Sequence, residues 1–541
     1  MPEDVKKTAH SADRLFCRAV AAWCCVTAYR LVKDPAFASL AYGQNVNRER
    51  FMAAVFLLFM LFSGIAQLLR RPCLQTDSWF LLGGATVCVG VWLGNAPTGE
   101  NQYDVLFLLA VTLVYCLFVL YTLHANRALS DRIRIPRGLA VVIAVLAAGV
   151  SCAVIAGITC LRYKTFSSPN YDFGLFVNMF CNMKRTGLLL CRRFGFSGKL
   201  TVGVSLLYAF YPLLATGCFY DVHENCFLTL FLLLTFYFFE VRHPIPMFLS
   251  ALLVLSVKED AAIYLLFFAL YMILGRRRVK EGIGLAVLAG GYFALSAYLL
   301  KTYGLGMMVS RFDNLIYDKE DGLLGAVRTA LVNPGYLLTQ MFTTSKSSWE
   351  KITYFCQLFL PLGMLPFCTK KASRWLLVAP VLVNFLTYYQ YQYNAGFQYH
   401  FGIAAFLFYA LILNLNGIDS GWRRSLLSVA CACTLCFYLF SVTPVLQSYR
   451  VRWESGKQVY AEMEEVLDTI PADASVNCST FLLAHIADRE EIYELAYHGN
   501  KPDVDYVVID ARYSGWEKYR ATYLAHGYSV VSSGLIVIMK R

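Results

Sequence analysis

Along most of this chain the polar positions come in short bursts, and the apolar stretches between them are as long as a bilayer is thick. Apolar runs at residues 15–32, 51–68, 79–96, 104–123, 138–161, 200–219, 281–300, 352–367, 375–390, 400–416 and 424–441 each approach the roughly 20 residues that a membrane-crossing helix needs. Three further runs, at 226–240, 245–257 and 261–275, are marginal taken singly. After Ser441 the pattern changes. "ASVNCST", "DYVVIDAR" and "SVVSSGLIVIMKR" read as strands, while "STFLLAHIADR" and "WEKYRATYLAHG" have helical spacing, the second stopping at Gly527. The pattern therefore predicts an all-α polytopic transmembrane bundle of about 14–15 helices carrying a small C-terminal α/β domain.

The polar bursts carry a second signal. "RR" at 70, "RALSDRIRIPR" from 127, "CRRFGFSGK" from 191, "EVRHP" from 240, "GRRRVK" from 275, "CTKKASR" from 368 and "GWRRS" from 421 are basic, and by the positive-inside rule these loops are cytoplasmic. The loops between them, "NAPTGENQYD", "YDVHEN", "VKED", 301–351 and "YQYQYNAGFQYH", then face outward. This places the N-terminus in the cytoplasm and the C-terminal domain outside it. The alternation fails at one place. The crossing after Tyr163 has to use "FGLFVNMFCNMKRTGLLL", which holds Lys184 and Arg185, at roughly 2.5–3.5 kcal/mol per charge on insertion scales.

Composition agrees with a membrane chain: 58% of the 541 residues are hydrophobic and 16% charged, with a mean hydropathy of +0.51. The formal net charge of +12 sits in the loop clusters rather than along one face, so nucleic acid is not an expected partner. Most of the 18 Cys lie inside apolar runs, where Cys behaves as a small hydrophobe, and no metal spacing or disulfide framework stands out. The N-terminal stretch "MPEDVKKTAHSADRLFCRAV" has no small-residue cleavage site, so no removable signal is expected.

Four polar groups fall on the expected outer side: Asp172 in "SSPNYDFGLF"; Asp221, His223, Glu224 and Asn225 in "FYDVHENCF"; Lys258, Glu259 and Asp260 in "VKED"; and Gln392, Tyr393, Asn394 and His400 in "YQYQYNAGFQYH". Each has an ordinary explanation. Asp172 suits a helix N-cap, His223 and Glu224 a solvated loop, Lys258 with Asp260 a neutralised hairpin turn, and the Tyr and Gln residues an interfacial belt. Four such groups on one side form a functional candidate, because ionisable side chains at membrane depth are costly. A carboxylate there can take a proton from an acceptor hydroxyl, while Arg162, Lys164, His223 and Lys258 hold a phosphate leaving group. The same groups equally suit a transporter's ion or substrate site.

"YDFGLFVNMF", "FYDVHEN", "VKEDAAIYLL" and "YQYNAGFQYHFGIAAFLFYA", with "IPADASVNCSTFLLAHIADREEIYEL" after the last helix, resemble the membrane family known as domain of unknown function 2079. The resemblance covers roughly 138–541 and implies three regions: a four-helix transmembrane extension at 1–126, a core at 127–445 and an extracytoplasmic α/β domain at 446–541. The family is similar in architecture to the GT-C glycosyltransferases, which use polyprenyl-phosphate sugars and an acidic residue in the first large outer loop. The resemblance thus implies Asp172 as general base, with Glu224, Glu259 and Asp260 in support. It also implies that an internal segment, between the "YDFG" and "LCRRFG" regions, is missing here. The expected partners are the bilayer, a polyprenyl-phosphate-linked sugar and an extracytoplasmic glycan or protein acceptor. No cofactor is certain from the sequence, and the acidic groups leave room for a divalent cation. A transporter, or a catalytically silent envelope-assembly protein, is the alternative.

Overall fold

The computed structural model describes residues 3–33, 47–69, 74–94, 105–127, 134–168, 197–219, 223–303, 309–318, 322–342, 348–487, 489, 491–498 and 500–541. They fall into two compact units. One draws on 1–151, 179–217 and 224–444, the other on 152–178, 218–223 and 445–541.

In the first unit, helices α1 (Glu3–Lys33), α2 (Arg48–Leu68), α3 (Leu74–Gly94) and α4 (Val105–Ala125) come first. They are tied by charge at one end. Asp77 is fully buried and receives Arg18 Nε at 2.8 Å and Nη2 at 3.1 Å, and Arg14 Nε at 3.0 Å. Arg18 also reaches Ser63 at 3.3 Å, which brings in α2. On the other flank of α3, Asn126 donates to Ser78 Oγ and accepts from Trp79 Nε1.

Helix α5 (Arg137–Lys164) follows, then α6 (Gly198–Ala209), α7 (Pro212–Thr216), α8 (Cys226–Glu240), α9 (Pro244–Leu255), α10 (Ala261–Leu270, continued by a π turn to Gly275) and α11 (Val279–Tyr303). A 3-10 turn at Val309–Leu315 leads to α12 (Gly322–Val332), α13 (Pro334–Phe342), α14 (Ser348–Phe359) and the four-residue α15 (Leu382–Phe385). Helices α16 (Phe401–Asn416) and α17 (Ser420–Leu467) complete the helical part. Every residue of α16 from Phe401 to Leu415 is buried, as an all-round apolar helix must be. Gly402 is what lets Tyr264 of α10 close on it, since a Cβ there would stand 2.5 Å from the phenol ring.

Glu240, at the end of α8, fixes this core. Arg276 donates to both its oxygens at 2.7 and 2.9 Å, and the Tyr409 hydroxyl of α16 donates at 2.5 Å. The Phe236 and Tyr409 rings stack beside it at 4.7 Å. The basic bursts "EVRHP" and "GRRRVK" are thereby joined at one end of the bundle, and Arg374 of "CTKKASR" adds a bond to Leu413 O at 2.8 Å.

Among the described residues, nine helices are long and apolar enough to cross a membrane, and they coincide with nine of the long apolar runs. The runs at 352–367 and 375–390 do not form continuous helices. After α14 the backbone turns left-handed at Gly363 and Met364 (φ +58° and +55°). It then proceeds through 3-10 turns at Leu365–Phe367, Ala372–Leu377 and Ala379–Val381 before α15. Pro361, Pro366 and Pro380 break the ladder, because each lacks an N–H and crowds the carbonyl one turn back. The freed carbonyls are met from inside: Asn414 Nδ2 donates to Leu365 O and Pro366 O, and Thr434 Oγ1 to Pro361 O. Such irregular backbone survives at membrane depth only where protein satisfies it. The expected loop 301–351 likewise contains ordered elements, the Val309–Leu315 turn and helices α12 and α13.

The second unit contains a five-stranded sheet of β1 (Val476–Cys478), β2 (Ile492–Glu494), β3 (Tyr506–Asp510), β4 (Ser529–Ser532) and β5 (Ile536–Lys540), ordered β2-β1-β3-β5-β4. β1 pairs parallel with β2 and β3, while β5 pairs antiparallel with β3 and β4. Alternate side chains serve two cores. Val476, Cys478, Val508, Ile536 and Ile538 pack with Phe166 and Met463, whereas Val507, Ile509, Val537 and Met539 pack with Tyr523 of α19 (Trp516–Ala525). Helix α19 ends where the sequence indicates, Gly527 taking φ +87°. "STFLLAHIADR" forms only the single turn α18 (Thr480–Leu483), and β2 answers to no expected strand.

Two outcomes follow. Arg276→Ala leaves the buried Glu240 carboxylate without its counter-charge, so thermal unfolding in detergent should show a loss of about 3–5 kcal/mol, against about 1–2 for Tyr409→Phe. Gly363→Ala should also destabilise, because it strains a left-handed φ and puts its Cβ 2.9 Å from Ala430 Cβ; an unchanged melting temperature would contradict this.

Candidate functional site

The polar turn "VKED" links α9 to α10, two helices too short to cross a bilayer alone. Lys258 reaches across to "YDVHEN", its Nζ 3.2 Å from Glu224 Oε1. Glu224 leads into α8, with the buried Asn225 as its N-cap residue. Two of the polar groups that the sequence nominates are therefore in direct contact.

Asp260 is the N-cap residue of α10. The residue is half-buried, but its Oδ1 is sealed from solvent and has no hydrogen-bond partner among the described residues. Loss of water is the largest influence on this carboxyl and pushes its pKa up. Lys258 and Arg311 pull it back down, while Glu259 and Glu224 add to the rise. A lone buried carboxylate oxygen between two cations and two carboxylates is an unsatisfied arrangement, of the kind that a bound ligand completes.

Arg311 comes from the Val309–Leu315 turn and brings the third group into place. Its guanidinium lies over the Tyr389 and Tyr399 rings at 4.9 and 5.1 Å, and Nη2 is 3.5 Å from Tyr399 Oη. Its carbonyl accepts from Thr387 Oγ1 and Tyr388 N. The segment 390–400 is held from both sides. Asn384 donates to Tyr399 O at 3.1 Å and Thr216 Oγ1 to Ala395 O at 2.7 Å.

His400 is buried, with Nε2 2.5 Å from Leu213 O. A carbonyl only accepts, so Nε2 carries the proton and Nδ1 presents a lone pair, which has no partner among the described residues. Gly217 is required here, since a Cβ would come 2.7 Å from Nε2. Gln392 donates to Asn384 Oδ1 at 3.4 Å. Tyr393 is buried under Lys351, whose Nζ stands 5.2 Å from its ring. Asn394 is exposed and closes a local turn onto Gly396 N at 2.8 Å.

Other nominated residues fall elsewhere. Asp172 and Asp221, and the awkward crossing between 173 and 190, lie outside the described residues. His223 is half-buried and directly precedes Glu224 in the chain. Arg162 and Lys164 belong to the second unit. There Arg162 Nε donates to Ser167 O at 2.9 Å, and Lys164 Nζ lies 5.4 Å over the Trp453 ring. Both are engaged in holding that unit's first turn, where Phe166 stacks on His485 at 3.8 Å.

Sequence reasoning missed Arg311 and Lys351. Lys351 is fully buried and donates to Gln340 O and Phe385 O, carbonyls near the ends of α13 and α15, where a cation also meets the helix dipoles. The available signal was a basic residue in a loop expected to lie on the side that disfavours them. Among the described residues no three His, Cys, Asp or Glu side chains converge as metal ligands.

The pairing has a pattern. Loops expected on one side meet each other at Lys258–Glu224 and Arg311–Tyr399, and loops expected on the other meet at Glu240–Arg276.

Comparison with known proteins gives one result. A family model described as "predicted membrane protein (DUF2079)" matches residues 186–526. The match begins after Asp172 and after the first five helices, so it is narrower than the resemblance drawn from 138 onward; it includes Glu224, Lys258, Asp260, Arg311 and His400. No curated protein and no solved structure matches the chain. With more than half of its length matched, and with nine helices able to cross a bilayer, this chain is an integral membrane protein of the domain of unknown function 2079 family.

Proposed function

We propose that the Glu224–Lys258–Asp260–Arg311 cluster is the reaction centre of a GT-C-like glycosyltransferase, which moves a sugar from a polyprenyl-phosphate donor to an extracytoplasmic acceptor. One observation carries this reading: a sealed, unpartnered carboxylate oxygen on Asp260, with Lys258 and Arg311 close enough to act on its charge. In the proposed step the acceptor hydroxyl attacks the anomeric carbon and its proton passes to the Asp260 carboxylate. The bond from that carbon to the phosphate oxygen breaks, and the phosphate leaves with the electron pair. Lys258 and Arg311 are cations of the type that holds such a leaving group, and Glu224 orients Lys258. Glu259 raises the basicity of Asp260. The paired loops support a common outer face for these groups. In this reading Asp172 is the second candidate base.

A transporter is the second reading, and a specific observation favours it: the broken 3-10 backbone between 365 and 400 resembles the interrupted helices that form transport sites.

Asp260→Asn should lower transfer of labelled sugar from a polyprenyl-phosphate donor in proteoliposomes by about 10²–10⁴-fold; undiminished transfer removes Asp260 as the base, and Asp172→Asn in the same assay tests the second candidate. If the vesicles instead accumulate solute in an Asp260-dependent way without transfer, the transporter reading stands. The acid limb of the pH–rate profile should lie above the ordinary Asp value of about 3.9, because the base must be ionised and its pKa is raised. Arg311→Gln removes a neighbouring cation and should move that limb to higher pH, whereas Glu259→Gln should move it to lower pH. Shifts of the opposite sign would refute the assignment.

A further inference from the structure

At the end of the first unit that carries "GWRRS", helices α4, α6 and α17 leave a groove of about 590 Å³. Its walls are mainly apolar: Leu82, Val119, Leu206, Phe210, Leu427 and Leu435 are among its lining residues. Two cations line it as well, Lys199 at the start of α6 and Arg424 at the start of α17. Arg424 and Leu123 also line an adjoining chamber of about 600 Å³, which is of mixed polarity and contains His124, Arg127, Asp419, Ser420 and Trp422. The apolar groove thus adjoins, at Arg424, a vestibule where Arg424 and Arg127 outnumber the single carboxylate of Asp419, with Lys199 on the groove side.

These features are arranged as an amphipathic anion would need them. The apolar length suits hydrocarbon chains and excludes a free polar solute. The cations lie at one end rather than along the groove, and Arg offers a planar fork to phosphate oxygens. Trp422 stands 70% exposed at the mouth, the position that indole takes at a membrane–water boundary. Gly203 keeps α6 tight against α17, since a Cβ would stand 2.6 Å from Leu427 Cδ2, so the groove walls are defined by close helix packing. Basic pockets between transmembrane helices recognise anionic lipid headgroups on the same physical basis. Three separate basic bursts of the sequence meet here: the one from 191 gives Lys199 to the groove, the one from 127 gives Arg127 to the vestibule, and the one from 421 gives Arg424 to both.

We infer that this groove is a binding site for an anionic phospholipid, with its acyl chains between α4, α6 and α17 and its phosphate at Lys199 and Arg424. The site is separate from the Asp260 cluster and does not depend on the transferase reading.

Native mass spectrometry of the full chain in mild detergent tests it. With phosphatidylglycerol and phosphatidylcholine of identical chains, phosphatidylglycerol should bind at least about tenfold tighter. Lys199→Gln with Arg424→Gln should abolish that preference, and Lys199→Arg with Arg424→Lys should retain it. Ser428→Phe keeps both charges but narrows the groove; it should weaken binding of either lipid, and it carries the test if the charge variant does not fold. Equal affinity for the two lipids would overturn the proposal, as would a preference that survives removal of both cations. Competition by inorganic phosphate at the same site, without dependence on the acyl chains, would also overturn it.

Discussion

The carboxylate of Glu240 is the constraint around which the helical core is organised. It is buried between α8, the π turn after α10 and α16, so its charge has to be met by protein. Arg276 meets it on both oxygens and Tyr409 adds a third bond, which fixes the end of α8, the exit from α10 and the rotation of α16 together. A bilayer contributes no apolar driving force between helices, so packing and polar contacts of this kind set the arrangement. The ring cluster of Phe236, Phe268 and Tyr409 then fills the space that the ion pair defines.

Once α16 is central and enclosed, the irregular region from 360 to 400 becomes tenable. Its prolines cannot form a helix, and its carbonyls would be orphaned in lipid. They are satisfied instead by Asn414, Thr434 and Asn384, side chains of the surrounding protein. The gain is a stretch of backbone able to bend Tyr389 and Tyr399 around Arg311 and to place it near Asp260. The polar cluster at the hairpin tip is therefore a product of the buried core.

The two ends of the bundle use charge differently. At the basic end, positive side chains are spent on Glu240, on carbonyls near the end of α16, and on the groove lined by Lys199 and Arg424. At the hairpin tip the charges are fewer, mixed in sign and incompletely satisfied. Structural charges are normally satisfied in full, whereas Asp260 Oδ1 has no donor among the described residues.

The amino-acid sequence by itself determined the class of the molecule, because helix length against bilayer thickness and the clustering of Lys and Arg are properties of the chain read in one dimension. It also determined the α/β character of the C-terminal unit, through the short apolar runs of β3 and β5, which suit strands buried on both faces, and it marked Glu224, Lys258 and Asp260 as costly. Only the tertiary structure decided that Lys258 meets Glu224 and that Arg311 meets Tyr389 and Tyr399. Tertiary packing likewise turned two apolar runs into 3-10 turns: hydropathy records whether a segment is dry, while prolines and the partners available to its carbonyls decide whether it is a helix. Residues such as Arg311 and Lys351 were illegible beforehand because their roles depend on carbonyls and rings that are remote in sequence, and no local pattern encodes which of those a long side chain will reach.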